Sequence, residues 1–438
     1  MPNPFPWRPR RTPGSPDSSH ASTVARPPAG RAAFAFIFIT VTLDMLALGV
    51  IAPVLPHLIV EFEGGNVSDA ARMTGWFAFI WAAMQFVAAP VLGTLSDRFG
   101  RRPVLLLSLS GLGLDYVIMA LAPSMTWLLV GRTISGITSA TGPIATAYIA
   151  DVTPAEQRAA RYGLFGAAFG FGFVVGPAVG GILGAIDLRF PFWFAAILCL
   201  ANAAYGWFVL PESLPVERRR TLAWRRVNPL AAFGLLRSHP ELGGLAIVTI
   251  LMGLAHESLP NAIVLYMAYR YGWDERTIGF AIAAIGASAA LVGALLVGPC
   301  VRRFGDRMTL VLGLGFGTAG FLVYAFATTG RVFAVGIAVM SLWGLAMAPL
   351  QALMSRRVEP TEQGQLQGAI TSLRGITGMI GPLLFSRIFA AAIDPAAPVY
   401  FAGAPFFVAS LVLAAAGVVT WRATRKRPDG NHLHVSDH

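Results

Sequence analysis

The sequence predicts an all-α integral membrane protein with twelve transmembrane helices, built as two six-helix repeats, both termini lying in the cytoplasm. Three observations predict it: a composition too apolar for a soluble fold, a run of bilayer-length apolar windows, and an internal duplication. Soluble proteins carry about 25% charged residues, whereas 13% of these 438 residues are charged and 55% are hydrophobic. Mean hydropathy is +0.63.

A helical span needs roughly 20 consecutive apolar residues. Windows bounded by polar turns place spans at about 33–56, 73–95, 103–122, 125–149, 161–184, 191–210, 242–265, 276–300, 308–328, 332–354, 367–392 and 399–421. Residues 1–31, rich in Pro, Ser and Arg and lacking an apolar run, read as a disordered cytoplasmic tail rather than a cleavable signal. The first half is 32–210, the polar, Pro-punctuated stretch 211–241 is a linker, the second half is 242–421, and 422–438 is a second tail.

The net charge of +11 raises the question of nucleic acid, but its distribution answers it. Of the 33 basic residues, twenty-five lie in the tails or in the loops after even-numbered spans, and five, Arg72, Arg189, Arg270, Arg276 and Arg331, lie on the other side. This asymmetry sets membrane orientation and puts both tails in the cytoplasm. The remaining three, Arg132, Arg374 and Arg387, fall inside spans. Cys199 and Cys300 sit in apolar runs and read as small hydrophobes. His432, His434 and His438 in the tail have no supporting ligand framework, so no metal site is expected, and no nucleotide or nucleophile–base motif is present.

At an offset of about 205 residues, Gly93, Arg98, Phe99, Gly100 and Arg102 coincide with Gly298, Arg303, Phe304, Gly305 and Arg307. Pro154-Ala-Glu156-Gln157 matches Pro360-Thr-Glu362-Gln363, and Gly176-Pro177 matches Gly381-Pro382. Two homologous halves about a linker are the imprint of a transporter whose substrate site lies at the repeat interface near mid-membrane.

Charged groups inside spans are costly, at ~2.5–3.5 kcal/mol on insertion scales, and functional by default. Asp44 in the first span, Asp115 in the third and Arg132 in the fourth fall at similar depth by a count of 1.5 Å per residue, so three opposite charges are expected to meet. Gly172, Gly176, Gly180 and Gly184 recur on every fourth residue of the fifth span, giving a smooth face for close helix contact. Pro53 and Pro56 free backbone carbonyls at the end of the first span, which is expected to flex. In the seventh span, Glu257 is either a proton acceptor or a group at a wet helix end, and His256 beside it points about 100° away. Arg374 is a counter-ion for Glu257 or for an anionic substrate; Arg387, nearer the outer edge, is expected to snorkel.

The loop Gly93-Thr-Leu-Ser-Asp97-Arg-Phe-Gly100-Arg101-Arg102 is similar to the signature between the second and third spans of the major facilitator superfamily. Leu128-Leu-Val-Gly-Arg132-Thr-Ile-Ser-Gly136 resembles an Arg-containing motif of its proton-coupled members, and Gly172-Phe-Val-Val-Gly176-Pro177-Ala-Val-Gly180-Gly181 resembles the antiporter motif. Thr42-Leu43-Asp44, Met84-Gln85-Phe86, Asp115-Tyr116 and Gly364-Gln365-Leu366-Gln367-Gly368 narrow the resemblance to tetracycline/proton antiporters.

The resemblance implies a proton-coupled exporter of a small lipophilic compound in a bacterial cytoplasmic membrane, working as a monomer with the lipid bilayer and protons as partners. It implies no resident cofactor, though a tetracycline-like substrate carries a divalent cation. Asp44, Gln85, Asp115 and Arg132 become transport-cavity and coupling residues; His256 and Glu257, where the family has other residues, and Arg374 join them only as ionisable groups inside spans. Gly93, Asp97, Arg101 and Asp151 become a cytoplasmic gate in which Asp97 sits against a helix N-terminus and Arg101 pairs with Asp151 when the inner side is closed. The family's acidic residue in the ninth span is replaced here by Gly317. An uptake symporter, an endogenous-metabolite exporter and a non-transporting membrane sensor are the alternatives.

Overall fold

The computed structural model describes residues 29–219, 233–398 and 400–424. The expected tail over 1–28, the middle of the linker at 220–232, and 425–438 with its three histidines lie outside the described residues.

The first half comprises α1 (Ala29–Ile51), α2 (Leu55–Phe62), α3 (Val67–Phe99), α4 (Arg101–Leu121), α5 (Met125–Thr138), α6 (Thr141–Val152), α7 (Ala155–Gly184) and α8 (Phe190–Val209). A short α9 (Phe233–Ser238) follows the linker. The second half comprises α10 (Gly243–Tyr271), α11 (Glu275–Leu295), α12 (Val297–Phe326), α13 (Gly330–Ser341), α14 (Met347–Ser355), α15 (Gln363–Ile393) and α16 (Ala404–Ala423). Among the described residues, 11 helical segments are long and apolar enough to cross a membrane. The twelfth expected span, the fourth, is α5 and α6 together, each too short alone.

Helix boundaries follow local chemistry. Asn66 caps α3 by accepting from Ser68 N at 3.0 Å and Asp69 N at 3.2 Å, and Asp274 caps α11 by accepting from Thr277 N at 3.0 Å. Pro53 falls in the break between α1 and α2, where its missing N–H ends the helix. The span-joining loop expected at 301–307 is instead helical on either side of a kink at Gly305 (φ 74°, ψ 167°). Gly100, 205 positions earlier, has φ 105° and ψ 161°, a conformation open to glycine alone at little cost. The duplication is therefore written in the backbone as well as in the sequence.

Each half has its own apolar core: the first around Tyr116, Tyr148 and Phe192, the second around Phe321, Phe333, Phe385 and Phe406. Within the first half, α7 lies almost backbone to backbone on α1, because a Cβ at Gly172 would stand 2.6 Å from Met45 Cβ and one at Gly176 2.7 Å from Gly49 Cα. Gly180 faces Val50 and Gly184 faces Val54, so the glycine stripe does make the expected smooth face.

The halves meet along two seams, α3 on α15 and α7 on α11. The end of the bundle carrying Arg98, Arg101, Arg102, Arg302, Arg303, Arg356 and Arg357 is here the basic face. Contacts between the halves gather at the opposite face. Arg72 Nη2 lies 3.2 Å from Asp394 Oδ2, Ser68 Oγ donates to the Ala390 carbonyl at 3.1 Å, and His57 Nε2 is 3.9 Å from Glu275 Oε1. A Cβ at Gly181 would be 2.5 Å from the Glu275 carbonyl, and one at Gly75 2.7 Å from Ser386 Cβ. Toward the basic face the same four helices part: nothing lies within 4 Å of a Cβ built at Gly93, Gly163, Gly166, Gly170, Gly293 or Gly364. The structure is sealed at one face and open at the basic one.

Candidate transport site

Two helices in equivalent positions of the halves are interrupted at mid-membrane. The fourth span breaks at Ser139–Ala140, between α5 and α6. The tenth breaks at Leu342–Leu345, a 3-10 turn between α13 and α14, about 205 residues on. Both spans were expected to be continuous. Discontinuous helices at matching places in two repeats mark the substrate site of transporters, since backbone freed from the helical ladder is tolerated there only against protein or water.

The first break is held from three sides. Gln85 Nε2 on α3 donates to Ser139 Oγ at 2.8 Å, and Trp81 Nε1 donates to Ser135 Oγ at 3.2 Å. The Thr141 hydroxyl, at the N-terminus of α6, faces Asp44 on α1. Asp44 is buried, and its Oδ1 has no hydrogen-bond partner. Asp115 and Arg132, both buried, form an ion pair between α4 and α5, with the guanidinium 5.8 Å from the centre of the Tyr116 ring. A Cβ at Gly131 would stand 2.6 Å from Asp115 Oδ1, so glycine there admits the carboxylate. Of the three charges expected to meet, two do. Asp44 lies near the Thr141 hydroxyl and makes no ion pair among the described residues, because equal depth along the membrane does not give equal azimuth.

The second break presents Trp343. Its ring lies 6.0 Å from that of His256 on α10 and 5.6 Å from Phe321, and its Nε1 is buried with no hydrogen-bond partner. A Cβ at Gly317 would stand 2.8 Å from Trp343 Cγ, so the indole fills the space where an acidic side chain was expected from the resemblance. Glu257 turns the other way, toward α15, where a Cβ at Gly381 would be 2.5 Å from its Cγ; Asn261 Nδ2 donates to its Oε2 at 3.2 Å. Arg374 does not pair with Glu257 and is within electrostatic reach of His256. His256 and Arg374 are exposed although their helices are packed against neighbours, so both face the space between the halves. Counted along the helices, Asp44, Gln85, His256 and Arg374 lie roughly 16–22 Å from the basic face. Arg387 is exposed near the sealed face, its guanidinium 5.8 Å from the centre of the Trp76 ring across the seam.

At the basic face, Arg101 Nη1 lies 2.7 Å from Asp97 and its Nε 3.1 Å from Asp151. All three belong to the first half, and the pairs are made while this face is open. Pairing of Arg101 with Asp151 is thus not confined to the closed inner side, Asp97 pairs with Arg101, and nothing lies within 4 Å of a Cβ built at Gly93. The repeat reproduces the pair with its signs exchanged: at an offset of 205, Arg356 Nη2 lies 2.7 Å from Asp306 Oδ2. Sequence reasoning missed Glu212 in the linker, whose carboxylate accepts from Arg101 N at 2.8 Å and Arg102 N at 3.3 Å and caps α4. Gly100, with no side chain to cap with, was the available signal. Ser213 Oγ donates to Asp151 Oδ2 at 3.2 Å, tying the start of the linker to the same cluster.

Two interrupted helices in a duplicated bundle, open at one face, define a secondary membrane transporter, and the family comparison agrees. Residues 37–256 and 245–435 both match the model of the Major Facilitator Superfamily, to which the chain belongs. Within it the chain is a member of the tetracycline-resistance-like family: it is 41% identical to the class C tetracycline resistance protein of Escherichia coli over 80% of this chain and 88% of that protein. It is 39% identical to the class G protein of Vibrio anguillarum over the same shares, 80% and 88%. Among solved structures it is similar in fold to a bacterial homolog of the human lysosomal transporter Spinster in an inward-facing, unoccupied conformation, with TM-score 0.73, 17% identity, and 92% and 100% of the two chains covered. The human organic anion transporter MFSD10 aligns with TM-score 0.65 at 23% identity, covering 90% of this chain and 100% of that one. The chain is a multi-pass protein of the cytoplasmic membrane and not an enzyme.

Proposed function

We propose that the chain exports a small lipophilic compound of tetracycline type from the cytoplasm in exchange for protons, by alternating access between its two halves. The observation that carries this reading is the pair of mid-membrane helix breaks between two halves that meet tightly at one face only, with Asp44 and the Asp115–Arg132 pair buried beside the first break. The basic face is the cytoplasmic one by the distribution of arginines, so the cavity is poised to load from inside. The relatives named for tetracycline resistance support drug efflux as the activity.

Substrate enters between the halves and contacts the first break through Gln85 and Asp44. The seams then open at the opposite face as the halves come together at the cytoplasmic one, over the cluster of Asp97, Arg101 and Asp151. A proton taken up from outside by Asp115 cancels the charge that Arg132 faces, and one taken by Asp44 removes the acceptor for a cationic group, so proton and cargo compete. One charge crossing the field gains about 2.3 kcal/mol per 100 mV, enough for roughly a fifty-fold gradient. No resident cofactor takes part; a divalent cation travelling with the substrate is cargo. The working unit is taken as the monomer, since one chain supplies both halves and both helix breaks.

The test is tetracycline flux in everted vesicles and in a pump-deficient host, with the wild type, Asp44→Asn, Asp115→Asn and Glu257→Gln. Drug-dependent proton movement that disappears in Asp115→Asn is expected. Wild-type transport by all three variants, or flux indifferent to an imposed pH difference, overturns the proton coupling.

A further inference from the structure

The interior of the second half carries an arginine, Arg374, with no acid beside it to balance its charge. Arg374 is exposed to the cavity roughly 16 Å from the basic face, and among the described residues no carboxylate lies within 4.0 Å of its guanidinium. The three interior carboxylates lie elsewhere: Asp115 pairs with Arg132, Asp44 is buried on α1 in the other half, and Glu257 accepts from Asn261 on the α15 side of its helix. The ninth-span position that would supply a fourth is Gly317, lying beneath Trp343.

Around Arg374 stand groups suited to a flat, electron-rich ring. His256 is within electrostatic reach and its ring is 6.0 Å from that of Trp343, whose Nε1 donor is unpartnered. From the other half, Phe86 packs against α15 so closely that a Cβ on Gly375, next to Arg374, would be 2.5 Å from its ring. An arginine within a span is expensive unless something pairs with it, and a planar guanidinium pairs best with a carboxylate or enolate in a two-pronged geometry.

We propose that Arg374, with His256, Trp343 and Phe86, forms an anion subsite in the second half that takes the carboxylate or enolate of an aromatic substrate. The inference rests on the reading of the central cavity as the transport site, and names the chemical class of its cargo. Cationic or neutral parts of the same molecule face Asp44 and Gln85 across the cavity, so the two halves grip opposite ends.

Full-length protein in nanodiscs is titrated with matched aromatic pairs, naphthoate against naphthamide and indole carboxylate against its amide, and the same preparations in proteoliposomes are assayed for tetracycline flux. The acids are expected to bind about ten- to a hundred-fold more tightly than the amides, the range for a hydrogen-bonded charge. R374Q brings the acids to the level of the amides, R374K retains a preference, and H256Q loses a few-fold. Arg374 makes no ion pair, so R374Q is expected to fold, and its melting temperature checks this. Acids and amides binding alike, or an unchanged preference in R374Q, overturns the subsite; tetracycline flux persisting alongside that result leaves the transport reading standing. Acid-selective binding without flux of any compound overturns transport and leaves the subsite.

Discussion

The sealed face depends on a close backbone crossing of α7 and α11, and Gly181→Ala tests it. A methyl at 181 would sit 2.5 Å from the Glu275 carbonyl oxygen and 3.0 Å from Gly279 Cα, where ordinary contact begins at 3.4 Å. The two helices must part by about 0.9 Å, and neither neighbour is a side chain able to swing away. Overpacking of this kind costs about 1–3 kcal/mol. The cost falls only on the conformation that makes the crossing, so the ratio of opposite-face-open to basic-face-open protein rises about five- to 150-fold. Spin labels at Ile186 and Arg276, in a background without Cys199 and Cys300, read the distance between the two helix ends. A growing long-distance population is expected in Gly181→Ala. Gly320→Ala, which crowds Met340 Cα at 2.7 Å inside the second half, destabilises without that change. Equal distance distributions in wild type and Gly181→Ala, or the same shift in Gly320→Ala, refute the argument.

Three further outcomes follow from interactions inside one half or at its edge. Arg132→Gln strands Asp115 in the interior and lowers stability by about 3–5 kcal/mol, with Asp115→Asn in the same chain recovering most of the loss in a thermal melt. Restoring an acid as Gly317→Asp drives the new side chain into Trp343 and Leu413, costing about 1–3 kcal/mol, and Trp343→Ala in the same chain relieves it; an additive loss would show that the indole does not hold that space. Asp274→Ala removes the α11 cap and costs ~1 kcal/mol. Hydrogen bonds from Thr277 hold the Asp274 carboxyl below its ordinary range, so its contribution is present above the unfolded carboxylate pKa of about 3.9. It fades as pH falls through the depressed folded value, and melts of wild type and variant should converge there.

Topology and duplication were legible because both depend on composition and spacing. The offset of 205 reappears as the Gly100 and Gly305 backbone pair and as the sign-exchanged pairs Arg101–Asp151 and Asp306–Arg356. The interrupted helices were not legible from hydropathy. Ser139, Ala140 and Leu342–Leu345 keep their windows apolar, and the remaining signal is a proline just beyond each break, Pro143 and Pro349. The surroundings of Asp44 and Arg374 were hidden for another reason: a sequence fixes depth along a helix well, but the 100° step per residue makes facing depend on how neighbouring helices rotate. The Arg101–Asp151 pair expected from the motif is present, but the conformation in which it forms is a property of the packed halves, not of the motif.

The distribution of interaction strength between and within halves bears on mechanism. Inside the first half lie a buried ion pair whose disruption costs about 3–5 kcal/mol and the reciprocal bonds of Thr40 and Asn202, at 3.2 and 3.1 Å, joining α1 to α8. Between the halves lie one ion pair whose side chains are 46% and 34% exposed, worth about 0.2–1 kcal/mol, a 3.9 Å histidine–carboxylate approach, the hydrogen bond from Ser68 to the Ala390 carbonyl, the Arg387–Trp76 contact and two close crossings, at Gly75 and Gly181. A load placed on the cavity therefore moves whole halves before it deforms either one. The weak seal is what a shift of 1–3 kcal/mol can open, about the scale of a hydrogen bond to a charged group. A carrier with its strongest contacts across the seam would hold its cargo in place.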